Sequence, residues 1–139
     1  VGDLAFRRLF PAAMEFVIDG GGANIVAQTW GYLTVPFNST ISGARLFGDA
    51  VGAISVDVWK CTYAQFDAGA THPVLADSIC GGEVPTLSGE AKSSITAQQF
   101  LSWNTQLLQD DILAFNVPTI ASGISRVTLA LDLTRNSAS

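Results

Sequence analysis

The chain has 139 residues, 48% of them hydrophobic and only 14% charged, with a formal charge of −5. That length fits one domain, and a folded monomer of this size hides roughly two thirds of the surface its unfolded chain exposes. Seven basic residues, clustered nowhere beyond Arg7-Arg8, cannot neutralise a phosphate track, so nucleic acid is excluded as a partner. No apolar run reaches the ~20 residues of a membrane helix.

Charge this low, against about a quarter in ordinary soluble domains, has two readings. Either another copy of the chain covers part of the outer face, or the surface is rich in Ser, Thr, Gln and Asn. No cationic stretch leads into a short apolar core, so no secretion signal is visible, and the chain reads as a processed product or a part of a longer one.

Residues 1–13 do not alternate. LAFRRLF suits a helical turn or two ended by Pro11, and its Leu4, Phe6, Leu9 and Phe10 suit an arm packed on something else or a frayed end. From Met14 apolar residues recur at every second position, the signature of strands with one buried face. The first strand carries Phe16 and Ile18 and stops at Asp19-Gly20-Gly21-Gly22. This run lacks the lysine and following helix of a phosphate loop and reads as a turn.

GYLTVPF then points Leu33, Val35 and Phe37 inward, and Pro36 assigns it to a sheet edge. Asn38-Ser39-Thr40 turns the chain and matches a glycosylation sequon that chance alone accounts for. TISGARLFGD and AISVDVWK, joined across Asp49-Ala50-Val51-Gly52, form the strongest hairpin signal, with Ile54, Val56 and Val58 in step.

Cys61–Asp67 suits a single helical turn. Residues 68–87 make a polar, glycine-rich crossing with a short strand at ADSIC, and Leu87–Gln99 reads as a surface connector. FLSWNTQL and ILAFNV suggest a second hairpin across Gln109-Asp110-Asp111. The last strand is the clearest, with Val127, Leu129, Leu131 and Leu133 facing one way and Arg126, Thr128, Ala130 and Asp132 the other. The expectation is an all-β fold: an antiparallel β-sandwich of seven or eight strands with jelly-roll-like wiring over residues 14–139, preceded by an N-terminal arm over 1–13.

Groups able to do chemistry are few. The single histidine, His72, precedes Pro73 in a loop, with no serine elbow to serve. Asp110-Asp111 suit a tight turn better than a glycosidase pair. Asp19, Asp49, Asp57, Asp67 and Asp77 are scattered without a calcium-loop pattern. Cys61 and Cys80 lack the spacing and partners of a metal site, leaving a disulfide or two buried thiols. No catalytic residue, metal or cofactor is therefore expected, and an enzyme is not the reading.

Aromatic residues are the candidate contacts. Trp59 lies on the face of Ser55 and Asp57, out of step with the buried valines, which suits a subunit contact, a core rim or a ligand platform, in that order. Trp103, Trp30 and Tyr63 are candidates of the same kind, with Phe66 beside Tyr63.

Taken in order, Asp19–Gly22 (DGGG), Gly31–Phe37 (G-x-L-x-V-P-F), Ile54–Lys60 (I-x-V-D-V-W-K) and Asp110–Val117 (containing D-x-[IL]-x-F-N-V) resemble a domain of tailed-bacteriophage virion proteins. The likeness runs from Met14 to Thr134, and the ordered set is what makes it specific. It implies a non-enzymatic module on the virion exterior, assembled in the host cytoplasm, belonging to a tail fibre, spike or similar appendage. Such modules are typically trimeric sandwiches that partner other virion proteins, and some contact a host-surface glycan or protein. A capsid decoration or cement protein and a carbohydrate-binding module are the alternatives.

Overall fold

The computed structural model describes residues 10–67, 70–96 and 102–136. Among the described residues, eight strands, β1 (Phe10–Asp19), β2 (Gln28–Thr34), β3 (Ser39–Ser55), β4 (Asp57–Cys61), β5 (Thr86–Thr96), β6 (Gln106–Leu107), β7 (Ile112–Val117) and β8 (Arg126–Arg135), form two antiparallel sheets. The larger has the order β1-β8-β3-β5, with β6 paired to the start of β3, and the smaller has the order β2-β7-β4. Chain-neighbouring strands thus alternate between sheets from β1 to β4, which is the wiring of a jelly roll. Among the described residues the only helical piece is a 3-10 turn at Leu75–Asp77.

The two inner faces meet in one core. Val127, Leu129, Leu131 and Leu133 of β8 are at most 2% exposed, and they face Leu113, Phe115 and Val117 of β7. Between the sheets, on the β1 side of the core, the Phe16 and Phe115 rings stack at 4.4 Å with 9° between planes. Gly31 makes room for them. It sits opposite Phe115 on β2, and a Cβ there would lie 2.7 Å from Phe16 Cζ. The glycine inside this strand is therefore a packing requirement, as close approach of another group demands. A bulge between Thr29 and Gly31 displaces Trp30 from the ladder and leaves it half-buried against the core.

Several elements differ from expectation. The hairpin across Asp49–Gly52 is absent: β3 runs unbroken through it, and its partners are β8 and β5. Residues 48–51 bulge out of the β5 register, held because Asp49 accepts hydrogen bonds from Ser125 Oγ (2.6 Å) and from the Ser125 and Arg126 N–H groups. The Ile54, Val56, Val58 alternation is buried as read, yet it crosses from the larger sheet to the smaller at Val56. There the Val56 N–H donates to the Pro85 carbonyl.

The second hairpin is also absent, because β6 joins β3 whereas β7 lies between β2 and β4. Residues 87–96, read as a connector, belong to the eleven-residue strand β5. Their polar sequence gives no period-two signal, and pairing with β3 overrides local preference. The short strand at ADSIC reduces to the 3-10 turn and one bridge between Trp59 and Ser78. Of the arm assigned to residues 1–13, residues 1–9 lie outside the described residues, and Phe10–Ala13 open β1.

Candidate functional site

The outer face of the smaller sheet carries the most distinctive side chains. Register places Tyr32, Ala114 and Trp59 side by side across β2, β7 and β4, with Thr29, Asn116 and Asp57 in the next row. The crossing between β4 and β5 folds back towards this face. Phe66 packs edge-on against Tyr32 at 4.9 Å, and Ala114 is fully enclosed.

Asp57 ties the crossing to the sheet. The residue is 5% exposed, and its carboxylate accepts from the Val58 N–H (2.9 Å), Trp59 Nε1 (3.0 Å) and Ser78 Oγ (2.7 Å). A buried carboxylate persists only when donors surround it, and here three converge from strand and loop. Further out, Asp67 accepts from the Thr71 hydroxyl and from the Thr71 and His72 N–H groups. Asp77 accepts from the Val74 N–H, and His72 Nδ1 lies 3.0 Å from the same carboxylate. Three of the acids that look scattered in sequence, Asp57, Asp67 and Asp77, are thus the pegs of one loop.

His72 is held there by Asp77, next to a cis peptide to the buried Pro73. Nothing in this geometry activates a nucleophile. Among the described residues no group of three or more His, Cys, Asp or Glu is placed to hold a metal ion. Cys61 and Cys80 are both free and buried. Burial pushes both thiols above their usual range, and for Cys61 the nearby Asp77, Asp111 and Asp67 carboxylates add to it.

The Asp67 peg has a consequence for acid stability. The Thr71 hydroxyl, then the His72 and Thr71 N–H groups, lower its carboxyl from 3.8 to about 2. A folded pKa below the unfolded one gives a stabilisation that is complete above 3.8 and is lost as pH falls through about 2. Protection of the Thr71 and His72 amides, taken relative to the intrinsic exchange rate at each pH, is therefore expected to fall across that window, and Asp67→Asn to abolish the acid dependence. Protection that is flat with pH in the unmutated chain would refute this.

The aromatic candidates separate. Trp103 is in the core, 7% exposed, and its Nε1 donates to the Glu83 carbonyl, so a surface role is corrected for this residue. Trp30 is half-buried and donates to the Val26 carbonyl, and Trp59 is half-buried on Asp57. Tyr63 alone of the four stands out, 73% exposed at the start of the crossing, near in sequence to Leu75 at 70%.

A second surface feature lies on the outer face of the larger sheet. Arg45, Phe47, Lys92, Ser93 and Ser94 line an open groove over β3 and β5. Arg45 sits 6.0 Å from the Phe47 ring centroid and 2.8 Å from the Asp132 carboxylate. With side chains 48% and 38% exposed, this ion pair contributes under about 1 kcal/mol.

No protein-family model and no curated protein matches the chain. Among solved structures it is similar to a chain of the capsid of Ralstonia phage GP4, with 17% identity and a TM-score of 0.55 over 94% of this chain and 88% of that one. A chain of the native Kashmir bee virus virion matches with 12% identity and a TM-score of 0.43, over 93% of this chain and 71% of that one. The first likeness is one of fold, extending over nearly the whole two-sheet sandwich.

Proposed function

We propose that the chain is a non-enzymatic building block of a virus particle, carried on the capsid as a decoration or cement protein. The observation that carries this reading is the two-sheet fold, similar over 94% of the chain to a chain of a phage capsid. A sandwich with a continuous core and well-tethered loops supplies a rigid body with large outer faces, which is what assembly into a shell requires. Low overall charge fits a protein whose outer surface is partly covered by neighbours, and the expected assembly is a homotrimer contacting other virion proteins.

An exterior tail fibre or spike is the second reading, favoured by the ordered DGGG, VPF, VDVWK and FNV segments. In that role the exposed Tyr63 and Leu75 are the residues available to a host glycan or protein. A carbohydrate-binding module has less support, because two of the three indoles are half-buried and the third is enclosed. Gold-labelled antibody against the chain, applied to purified particles, tests the placement. Label on the head supports the capsid reading, label on the tail replaces it with the appendage, and unlabelled particles whose protein is absent by mass spectrometry overturn both.

A further inference from the structure

The larger sheet ends in two long strands, β1 and β5, whose outer edges pair with no described strand. Open edges present rows of unpaired N–H and C=O groups and invite another strand. Because β1, β8, β3 and β5 alternate in direction, β1 and β5 run antiparallel to each other. Copies related by a rotation that preserves strand direction can therefore add β5 of one to β1 of the next as an ordinary antiparallel pair.

We propose that this edge-to-edge pairing is an interface between copies of the chain, with Lys92 opposite Glu15 of the neighbouring copy. That register sets Ala91–Ile95 against Ala12–Phe16. Outward-facing residues then meet outward-facing ones, Lys92 with Glu15 and Ser94 with Ala13, all four exposed in the single chain. Inward-facing residues meet likewise: Ile95 with Ala12, Ser93 with Met14, Ala91 with Phe16. All six are only half-buried in the single chain, and four of them (Ala12, Met14, Phe16 and Ile95) already pack against the core cluster. Pairing makes one continuous core under the joined sheets. Among the described residues, neither the Lys92 ammonium nor the Glu15 carboxylate forms a hydrogen bond or ion pair within its own chain, so the charges are free to find each other.

Two-fold pairings fit less well. Two β5 strands centred on Ala91 would oppose Lys92 and Glu90, but the pair would run through Gly89, at φ 74°, where the β5 register slips against β3. Two β1 strands centred on Met14 would leave Glu15 opposite Ala13, with no charge to meet. The heterologous contact lies mainly on Lys92–Ile95, which keep one register against β3, and reaches the slip only at Ala91; contacts of this type close into a ring when the rotation allows. The proposal rests on the building-block reading, but its test is done on purified protein. A failed edge leaves the particle location standing, and a chain absent from particles leaves the edge standing.

Charge exchange tests it by sedimentation velocity. Glu15→Lys and Lys92→Glu are each expected to weaken self-association about tenfold, by replacing an opposed pair with a like pair. The double variant, which restores opposite charges, is expected to recover it. A monomeric unmutated chain, single variants that associate normally, or a double variant no better than the singles would each overturn the proposal. Independently of those variants, oxidised A13C/S94C protein is expected to form a ladder of intermolecular disulfides that neither single cysteine forms. A cross-linked dimer from A13C alone would mean two-fold β1 pairing and reject it.

Discussion

Phe115→Ala is expected to lower the unfolding free energy by about 3–5 kcal/mol, measured by denaturant titration. The ring is 1% exposed and stacked on Phe16, so its removal loses both buried area and the aromatic contact. Collapse into the space is obstructed because Phe115 sits mid-strand in β7, hydrogen-bonded on both sides to β2 and β4. Phe115→Leu, which keeps much of the volume, is expected to cost less than half as much. Gly31→Val tests the same contact from the opposite strand, since its Cβ would enter the position of the Phe16 ring. A Phe115→Ala loss below about 1 kcal/mol would mean that the two sheets do not share this core.

Asp57→Ala is the second large effect, an expected loss of about 3 kcal/mol. Alanine leaves the Val58 N–H, Trp59 Nε1 and Ser78 Oγ without their common acceptor at a site that is 5% exposed. Ser78 belongs to the crossing and Trp59 to the sheet, so the crossing is expected to detach before the sandwich unfolds. Hydrogen exchange should show this as lost protection at Ile79, whose N–H donates to the Val58 carbonyl, with β8 unchanged. Asp57→Asn keeps one acceptor oxygen and is expected to lose about half as much. Equal loss of protection in β8 would contradict the hub role assigned to this carboxylate.

Much of the architecture is legible in the chain because burial on one face imposes period two. Val127, Leu129, Leu131 and Leu133 are all buried in a central strand of the larger sheet, where Ala130, on the opposite face, is buried too, and Ile54, Val56 and Val58 are all buried. What alternation cannot convey is which sheet a strand joins. Ile54 and Val58 share one rhythm yet lie in different layers, because the chain turns a corner at Val56 without losing phase. Local turn signals mislead for a related reason. Asp49-Ala50-Val51-Gly52 has the composition of a hairpin turn, but the Asp49 carboxylate caps the distant Ser125 and Arg126, and the strand continues.

The candidate surface was less legible. Trp59 sits on the outer face as its phase requires, whereas Trp103 lies outside any strand, in the segment between β5 and β6, and is buried against the core. Asp57 carried a usable signal, an acid two residues before a tryptophan on the same strand face, where the indole N–H can reach it. Asp67 and Asp77 carried none beyond turn preference, since their partners are backbone N–H groups of their own loop. The polar edge strand β5 escaped notice because an edge needs backbone partners more than apolar side chains.

The most direct test of the whole account is a cryo-electron microscopy map of purified particles at a resolution that separates strands. The account predicts density for both sheets on the head, in copies whose β5 lies beside β1 of a neighbour. A particle whose every density is assigned to other chains would contradict it.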